Sequence, residues 1–311
     1  MKVKHSNGSA QSLSKCTGER RALLIGINYT GRPNPLQGCI NDTAVMKDFL
    51  LGFNFKEENI RVLTDDQVDT PWMPTRENII ENLKWLLHGA QKDDSLFLHY
   101  SGHGGQVLDL DDDEVGDYDN CIFPLDHKEN GVIIDDELHM ILVKALPPGV
   151  RLTVLFDCCH SGSALDLPYI YTGTGYIRGS DALANLGHEL VSGNFDPEAL
   201  KNLQAKWVKL KEEKEKFELQ VKLKAVHDAD VVMFSGCKDD ETSADVSVTR
   251  GKTSSANGAM TYAFTKSYRE NSVQTYQDFL NSIRDLMREK YKQKPQLSSS
   301  RPKNMAELFF L

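Results

Sequence analysis

With 311 residues, 40% of them hydrophobic, the chain is long enough to bury an α/β core as one domain or two tightly joined pieces. Its formal net charge of −9 disfavours a general nucleic-acid binder, and no apolar run suits a signal segment or a membrane span, so neither nucleic acid nor membrane is an expected partner. Six cysteines, at 16, 39, 121, 158, 159 and 237, show no C-x-x-C spacing, which argues against structural zinc and for a reducing intracellular compartment, cytoplasm or nucleus.

Residues 1–19 are polar and rich in Ser, Lys and Gly, and are expected to form a disordered tail. Ala22 to Ile27 reads as a first buried strand, and the Asn41-Asp42 pair is placed to cap a helix running to about Leu51 and closed by Gly52. Ile60 to Leu63 reads as a second strand. Thr75 caps a helix whose Ile79, Ile80, Leu83, Leu86 and Leu87 make one face before Gly89. Ser95 to Tyr100 is a short apolar strand, and the glycines of Ser101-Gly-His-Gly-Gly105 let the chain turn sharply and leave His103 at its end.

An acidic run, Asp109, Asp111, Asp112, Asp113, Glu114, Asp117 and Asp119, invites an EF-hand reading that fails. With Asp109 first, the sixth position is Glu114 and the twelfth Asn120, where Gly and Glu are needed. A solvated loop is the plain reading for most of these carboxylates. Asp135 and Asp136 fit as caps of a helix from Glu137 to Leu146 that Pro147, Pro148 and Gly149 end.

Val150 to Phe156 is an unbroken apolar, β-branched run, the pattern of a strand buried on both faces in a parallel sheet. Asp157, Cys158, Cys159 and His160 follow at its carboxyl end, where open α/β sheets bind ligands. A thiol is mostly protonated at neutral pH and needs a base to become a working nucleophile. Two strand-end loops, one bearing Cys and one bearing His103, supply such a pair. Beyond them, Gly162 to Gly187 reads as loop, and Asp196-Pro197 opens a helix with a stripe of Leu200, Leu203, Trp207, Leu210, Phe217 and Val221. That stripe reads as a helix packed on its own domain, with a coiled-coil partner as the alternative. Val231 to Ser235 is a further strand, Met260 to Tyr268 and Thr275 to Tyr291 are helices, and Leu308 to Leu311 is a last short strand.

His99-Tyr-Ser-Gly-His-Gly104 and Asp157-Cys-Cys-His-Ser-Gly162 resemble the catalytic histidine and cysteine motifs of the metacaspases, caspase-related cysteine peptidases of fungi, plants and protists. The resemblance, to the fungal type I members, extends to Gly38-Cys-Ile-Asn-Asp42, Val132-Ile-Ile-Asp-Asp-Glu137, the Ser235 to Asp245 stretch and Lys294-Pro-Gln-Leu-Ser-Ser-Ser300. The animal caspase signature is absent, Asp157 standing where that signature has Gln. The resemblance implies an α/β caspase-like sandwich with a mostly parallel central sheet and helices on both faces. It implies one peptidase domain over 20–311: a large-subunit portion at about 20–178, a basic linker and helix at 179–227, and a small-subunit portion at 228–311.

It further implies that the Cys159 thiolate attacks the scissile carbonyl, that His103 carries the proton to the leaving amine, and that the N–H groups of Gly104 and Cys159 face the oxyanion. Sequence names no third group to orient His103, and His160 competes as base from an unfavourable neighbouring position. Cys39, Asp42, Ser101 and Asp157 are implied to line a pocket for Arg or Lys of a protein or peptide substrate, the plain readings of the two carboxylates being a helix cap and a strand-end turn. Asp119, Asp135, Asp136 and Asp166 are implied calcium ligands that switch the enzyme on. Self-cleavage of a zymogen is expected in the basic segment, with Arg178, Lys206, Lys209 and Lys211 as candidates, and a monomer is expected. A non-catalytic scaffold or protein-quality-control role, and a thiol amidase acting on small molecules, are the alternatives from other classes.

Overall fold

Apolar, β-branched runs build the centre of the molecule. A computed structural model describes residues 14–68, 70–108, 118–158, 164–172, 175–176, 229–236, 245–246, 257–290 and 295–311. The strands are β1 (Arg20–Gly26), β2 (Ile60–Thr64), β3 (Ser95–Ser101), β4 (Gly104–Leu108), β5 (Tyr118–Ile122), β6 (Ile133–Ile134), β7 (Arg151–Asp157), β8 (Tyr169–Thr172), β9 (Gly175–Tyr176), β10 (Asp230–Ser235), β11 (Asp245–Val246), β12 (Asn257–Gly258) and β13 (Gln296–Ser299). The main sheet has the order β2-β1-β3-β7-β10-β13-β8-β9. Its first five strands are parallel; β13, β8 and β9 are added antiparallel.

Every residue of β3, β7 and β10 is buried, as a parallel sheet covered on both faces requires. Helices α1 (Cys39–Leu51), α2 (Arg76–Leu87), α3 (His127–Asn130), α4 (Asp135–His139), α5 (Ala259–Glu270) and α6 (Tyr276–Lys290) complete the described chain. Alternation along each strand divides the core in two. Leu23, Ile25, Leu98, Val154 and Met233 meet Leu83 and Leu86 of α2 and Leu138 of α4. Leu24, Phe97, Leu155 and Phe234 meet Met46 and Phe49 of α1, Phe264 of α5 and Phe279 of α6. The architecture is the caspase-like α/β sandwich, with helices on both faces.

At the amino-terminal ends of β7 and β10 lies a buried charge cluster. Arg151 Nε donates to Asp230 Oδ2 at 2.7 Å, Lys303 Nζ donates to Asp230 Oδ1, and Arg151 Nη1 donates to the Tyr276 hydroxyl at 2.8 Å. Burial opposes the Asp230 charge, but Arg151 and Lys303 outweigh it and hold the carboxyl below its ordinary range.

Several expectations need correction. Helix α1 begins at Cys39 with Gly38 at its N-cap, so Asp42 sits inside the first turn and caps nothing. The cap comes from outside: Asn28 Oδ1 accepts from Cys39 N at 3.0 Å and from Ile40 N at 3.4 Å. Helix α4 starts at Asp135 itself and passes into a π turn over Met140–Lys144, which shortens the predicted helix and brings both aspartates into it. Residues 169–172 and 175–176, read as loop, are strands, and 308–311 makes only the Thr275–Leu308 bridge. The expected tail is packed from residue 14: Cys16 is buried, and Lys15 N donates to Asp93 Oδ1 at 2.8 Å. The predicted helix at 196–221 lies outside the described residues. Thr75 caps α2 as read, its hydroxyl accepting from Asn78 N at 3.3 Å. No helix among the described residues is long and apolar enough to cross a membrane.

Candidate active site at the carboxyl edge of the sheet

Parallel pairing brings Gly26, Ser101 and Asp157 to one level at the carboxyl ends of β1, β3 and β7. The chain leaves β1 toward β2 on one side and later returns to β3 on the other, so the connections beyond β1 and β3 diverge and open a crevice between them. Residue 26 must be glycine for α1 to seal that crevice, since a β-carbon there would lie 2.4 Å from the Cys39 carbonyl oxygen.

His103 is half-buried just beyond β3, and its Nε2 lies 2.7 Å from the carbonyl oxygen of Asn34. A carbonyl only accepts, so Nε2 carries the proton and Nδ1 keeps its lone pair. The orienting group that sequence could not name is therefore a backbone carbonyl. Two phenols fix the histidine's own peptide groups. The Tyr29 hydroxyl accepts from His103 N at 3.1 Å, and the Tyr100 hydroxyl donates to His103 O at 2.8 Å. The Tyr29 ring also lies over the imidazole, 4.6 Å between centroids. Burial raises the pKa of both phenols, so they remain protonated donors. Tyr29 and Asn34 both hold positive φ, of 53° and 57°, a conformation that a tyrosine sustains only where its surroundings over-determine it.

Adjacent residues at the end of β7 point to opposite faces. Cys158 is buried in the core under α2 and α4, outside any disulfide and packed with Tyr29 and Tyr100. Cys159, His160 and the rest of 159–163 lie outside the described residues. The Cys158→Ala variant should therefore lose about 1–2 kcal/mol of stability through a small cavity and keep most of its peptide-cleaving rate. Cys159→Ala should keep its melting temperature and lose the rate. Melting curves beside initial rates check both, and the reverse pattern of rates would make Cys158 the nucleophile.

Three of the four residues implied for the substrate pocket, Asp42, Ser101 and Asp157, meet on the opposite face, and Cys39 lies one turn before Asp42 on α1. Cys39 and Asp42 lie in the first turn of α1, and Ser101 and Asp157 end β3 and β7; all four are buried. Ser101 Oγ donates to Asp42 Oδ2 at 2.8 Å, and Gly258 N donates to Asp42 Oδ1 at 2.7 Å. Thr261 N donates to Asp157 Oδ2 at 2.8 Å. A β-carbon on Gly258 would stand 2.1 Å from Asp157 Oδ2 and 2.7 Å from Asp42 Oδ2, so both carboxylates flank one point and only glycine fits between them. Sequence reading missed Gly258 and Thr261, which reach the pocket from the far end of the chain. Beneath them His99 Nε2 lies 3.0 Å from Thr261 Oγ1, and burial pushes its pKa down to about 3. His99 is thus neutral floor and no rival to His103.

The implied calcium ligands are drawn to one neighbourhood. Asp135 Oδ2 accepts from Asn120 N at 2.9 Å, which ties α4 to the strand carrying Asp119. One turn along α4, His139 Nδ1–H donates to Leu165 O at 2.8 Å and brings the segment with Asp166 onto the same helix. Asp119, Asp135 and Asp166 are buried and Asp136 is half-buried. Buried, hard carboxylate oxygens are the donor type calcium takes. Among the described residues no three or more His, Cys, Asp or Glu stand close enough together to hold a metal ion, so the four share a neighbourhood and not yet a coordination sphere.

A twice-covered, mostly parallel sheet with histidine and cysteine loops at its carboxyl edge defines a caspase-like protein. Residues 20–168 match the family profile described as "Metacaspase, peptidase C14 domain". The chain is 45% identical over 306 residues to Metacaspase-1 of Pyricularia oryzae, across 96% of this chain and 76% of that protein. It is 44% identical over 304 residues to Metacaspase-1 of Emericella nidulans (96% and 74%) and 41% over 313 residues to Metacaspase-1 of Scheffersomyces stipitis (98% and 77%). Among solved structures, protein GSU0716 from Geobacter sulfurreducens shares the fold, with a TM-score of 0.57 at 23% identity over 92% of this chain and 95% of that one. The chain belongs to the metacaspase family of C14 peptidases, which are cysteine-type and act on proteins.

Proposed function

We propose that this chain is a calcium-activated cysteine endopeptidase that cleaves after arginine or lysine and processes itself in the segment between its two portions. The observation that carries the specificity is the meeting of Asp42 and Asp157 around Gly258, next to the strand ends that bear His103 and Cys159. A desolvated carboxylate pair binds a guanidinium or ammonium through charge-assisted hydrogen bonds and repels an acidic side chain. Rates on peptides that differ only in Arg, Lys or Asp before the scissile bond test this reading, and efficient cleavage after Asp would end it.

In the proposed reaction Cys159 loses its thiol proton to His103 Nδ1 as sulfur bonds to the carbonyl carbon. The N–H groups of Gly104 and Cys159 receive the oxyanion. On collapse the proton passes from His103 to the leaving amine, and a thioester remains. His103 then deprotonates a water, which attacks the thioester and returns the Cys159 thiol with release of the acid. The hydrogen bond from Nε2 to Asn34 O supports this assignment, because it leaves Nδ1 as the basic nitrogen.

Asp119, Asp135, Asp136 and Asp166 would hold calcium, whose charge offsets their mutual repulsion. Asp166 lies seven residues beyond Cys159 and holds φ 47°, so its segment could favour the working form of the cysteine loop once the carboxylates are neutralised. Chelator-treated protein titrated with calcium should gain peptide-cleaving activity together with binding heat, and magnesium should substitute poorly. Intact mass of the same samples should show two fragments for wild type and one chain for Cys159→Ala. Full activity in chelator, or an unchanged response in an Asp135→Ala, Asp136→Ala double variant, would defeat the calcium assignment. A monomer in the cytoplasm or nucleus completes the proposal. The sheet runs on through β13 and β8 to the two-residue β9, an edge that offers little to a second copy, and none of Cys16, Cys39, Cys121 and Cys158 is in a disulfide.

A further inference from the structure

A pocket of about 340 Å³ opens on the side of His103 away from the carboxylate pair, and Arg32, His103, Phe123, His127 and Lys128 are among its walls. Its chemistry is opposite to that of the Asp42 and Asp157 pocket. Arg32 and His127 are half-buried and Lys128 is exposed, and neither Arg32 nor Lys128 makes an ion pair among the described residues. Of the two carboxylates that flank His127 and Lys128 in sequence, Asp126 accepts from Arg76 N at 2.8 Å and from Asn130 Nδ2 at 2.7 Å, and Glu129 is exposed and makes no ion pair with Lys128 among the described residues. His127 donates Nδ1–H to Pro124 O at 3.0 Å, and its ring stands edge-on to Phe123 at 5.2 Å, so the imidazole is held in place.

Position decides what such a pocket receives. Tyr29 and Phe123 pack with the core under α2 and α4, whereas the Asp157 carboxylate reaches Thr261 of α5 on the other face. His103 lines this second pocket and lies two residues beyond Ser101, whose hydroxyl bonds Asp42. A peptide whose basic side chain is held against the Asp42 and Asp157 carboxylates, beside Gly258, passes His103 and delivers its next residue toward Arg32, His127 and Lys128. We propose that this second pocket binds the residue following the scissile bond and selects an acidic side chain there. The proposal rests on the Arg or Lys reading above. It also ranks the chain's own basic segment, in which Lys211 and Lys214 are each followed by glutamate while Lys206 and Lys209 precede Trp207 and Leu210.

The test uses full-length protein in calcium, three internally quenched peptides identical except for Glu, Ala or Lys after a single Arg, and a dye amide that ends at Arg. The Glu peptide should exceed the Lys peptide in kcat/KM by about 10-fold, mostly through KM. In an Arg32→Ala, Lys128→Ala variant that ratio should fall to within about 2-fold. Lys128→Glu, an exchange at an exposed site that the fold should tolerate, should move the ratio toward the Lys peptide. Dye amide cleaved, with equal wild-type rates on the Glu and Lys peptides or a ratio that survives in both variants, overturns the acidic pocket alone. Dye amide and every Arg peptide left intact overturns the basic-residue reading and this pocket with it.

Discussion

The His103→Ala variant should lose about 10²- to 10⁴-fold in kcat on an arginine peptide, the usual worth of a positioned general base, with KM little changed. The loss follows from the tautomer. Asn34 O fixes the proton on Nε2, while His99 is buried against Thr261 and kept neutral, and His127 is held by its Nδ1–H on Pro124 O. Alkylation of Cys159 by iodoacetamide at neutral pH should slow in parallel, because the thiol would then lack its base. A variant that kept more than about a tenth of the wild-type kcat would remove His103 from the role of base.

Loss of the Asp157 charge should be nearly as costly, but only for basic substrates. Leaving a desolvated guanidinium without its partner costs about 3–5 kcal/mol, or between about 100-fold and about 4000-fold in kcat/KM. Asp157→Ala also strips the Thr261 N–H of its acceptor, at about 1–3 kcal/mol of stability, so its lower activity would mix two causes. Asp157→Asn separates them. The amide oxygen can still accept from Thr261 N while the charge is gone, so melting should stay near wild type and arginine cleavage should collapse. Wild-type rates on arginine peptides in Asp157→Asn would show that the carboxylate is a strand-end brace and not a recognition group.

How far the sequence disclosed this arrangement depended on the range of the interactions involved. The strands β1, β3, β7 and β10 were legible because burial on both faces leaves unbroken apolar runs, and α2 was legible because Thr75 caps it from the adjacent position. The strand β13 is Gln-Leu-Ser-Ser, with no hydrophobic period, and is extended because it pairs with β10; β8 in turn is a strand because it pairs with β13. The start of α1 was misread because its cap, Asn28, lies eleven residues before Cys39, outside any local capping pattern. Asn34 was invisible for a different reason. Its contribution is a carbonyl oxygen, which every residue has, and only the turn at positive φ aims it at His103. Gly258 joins Asp42 across 216 residues and Thr261 joins Asp157 across 104, a proximity that no window of sequence contains.

The position of β10 bears on what a cut chain would look like. That strand follows the basic segment, yet it lies inside the sheet, paired with β7 from Asp230–Arg151 to Ser235–Phe156 and locked at its base by the buried Arg151, Asp230 and Lys303 cluster. Scission between residues 179 and 227 would break one covalent link and leave all of these in place. The nicked molecule should elute from a sizing column as the intact one does and come apart only in denaturant, so native size is a silent readout of processing.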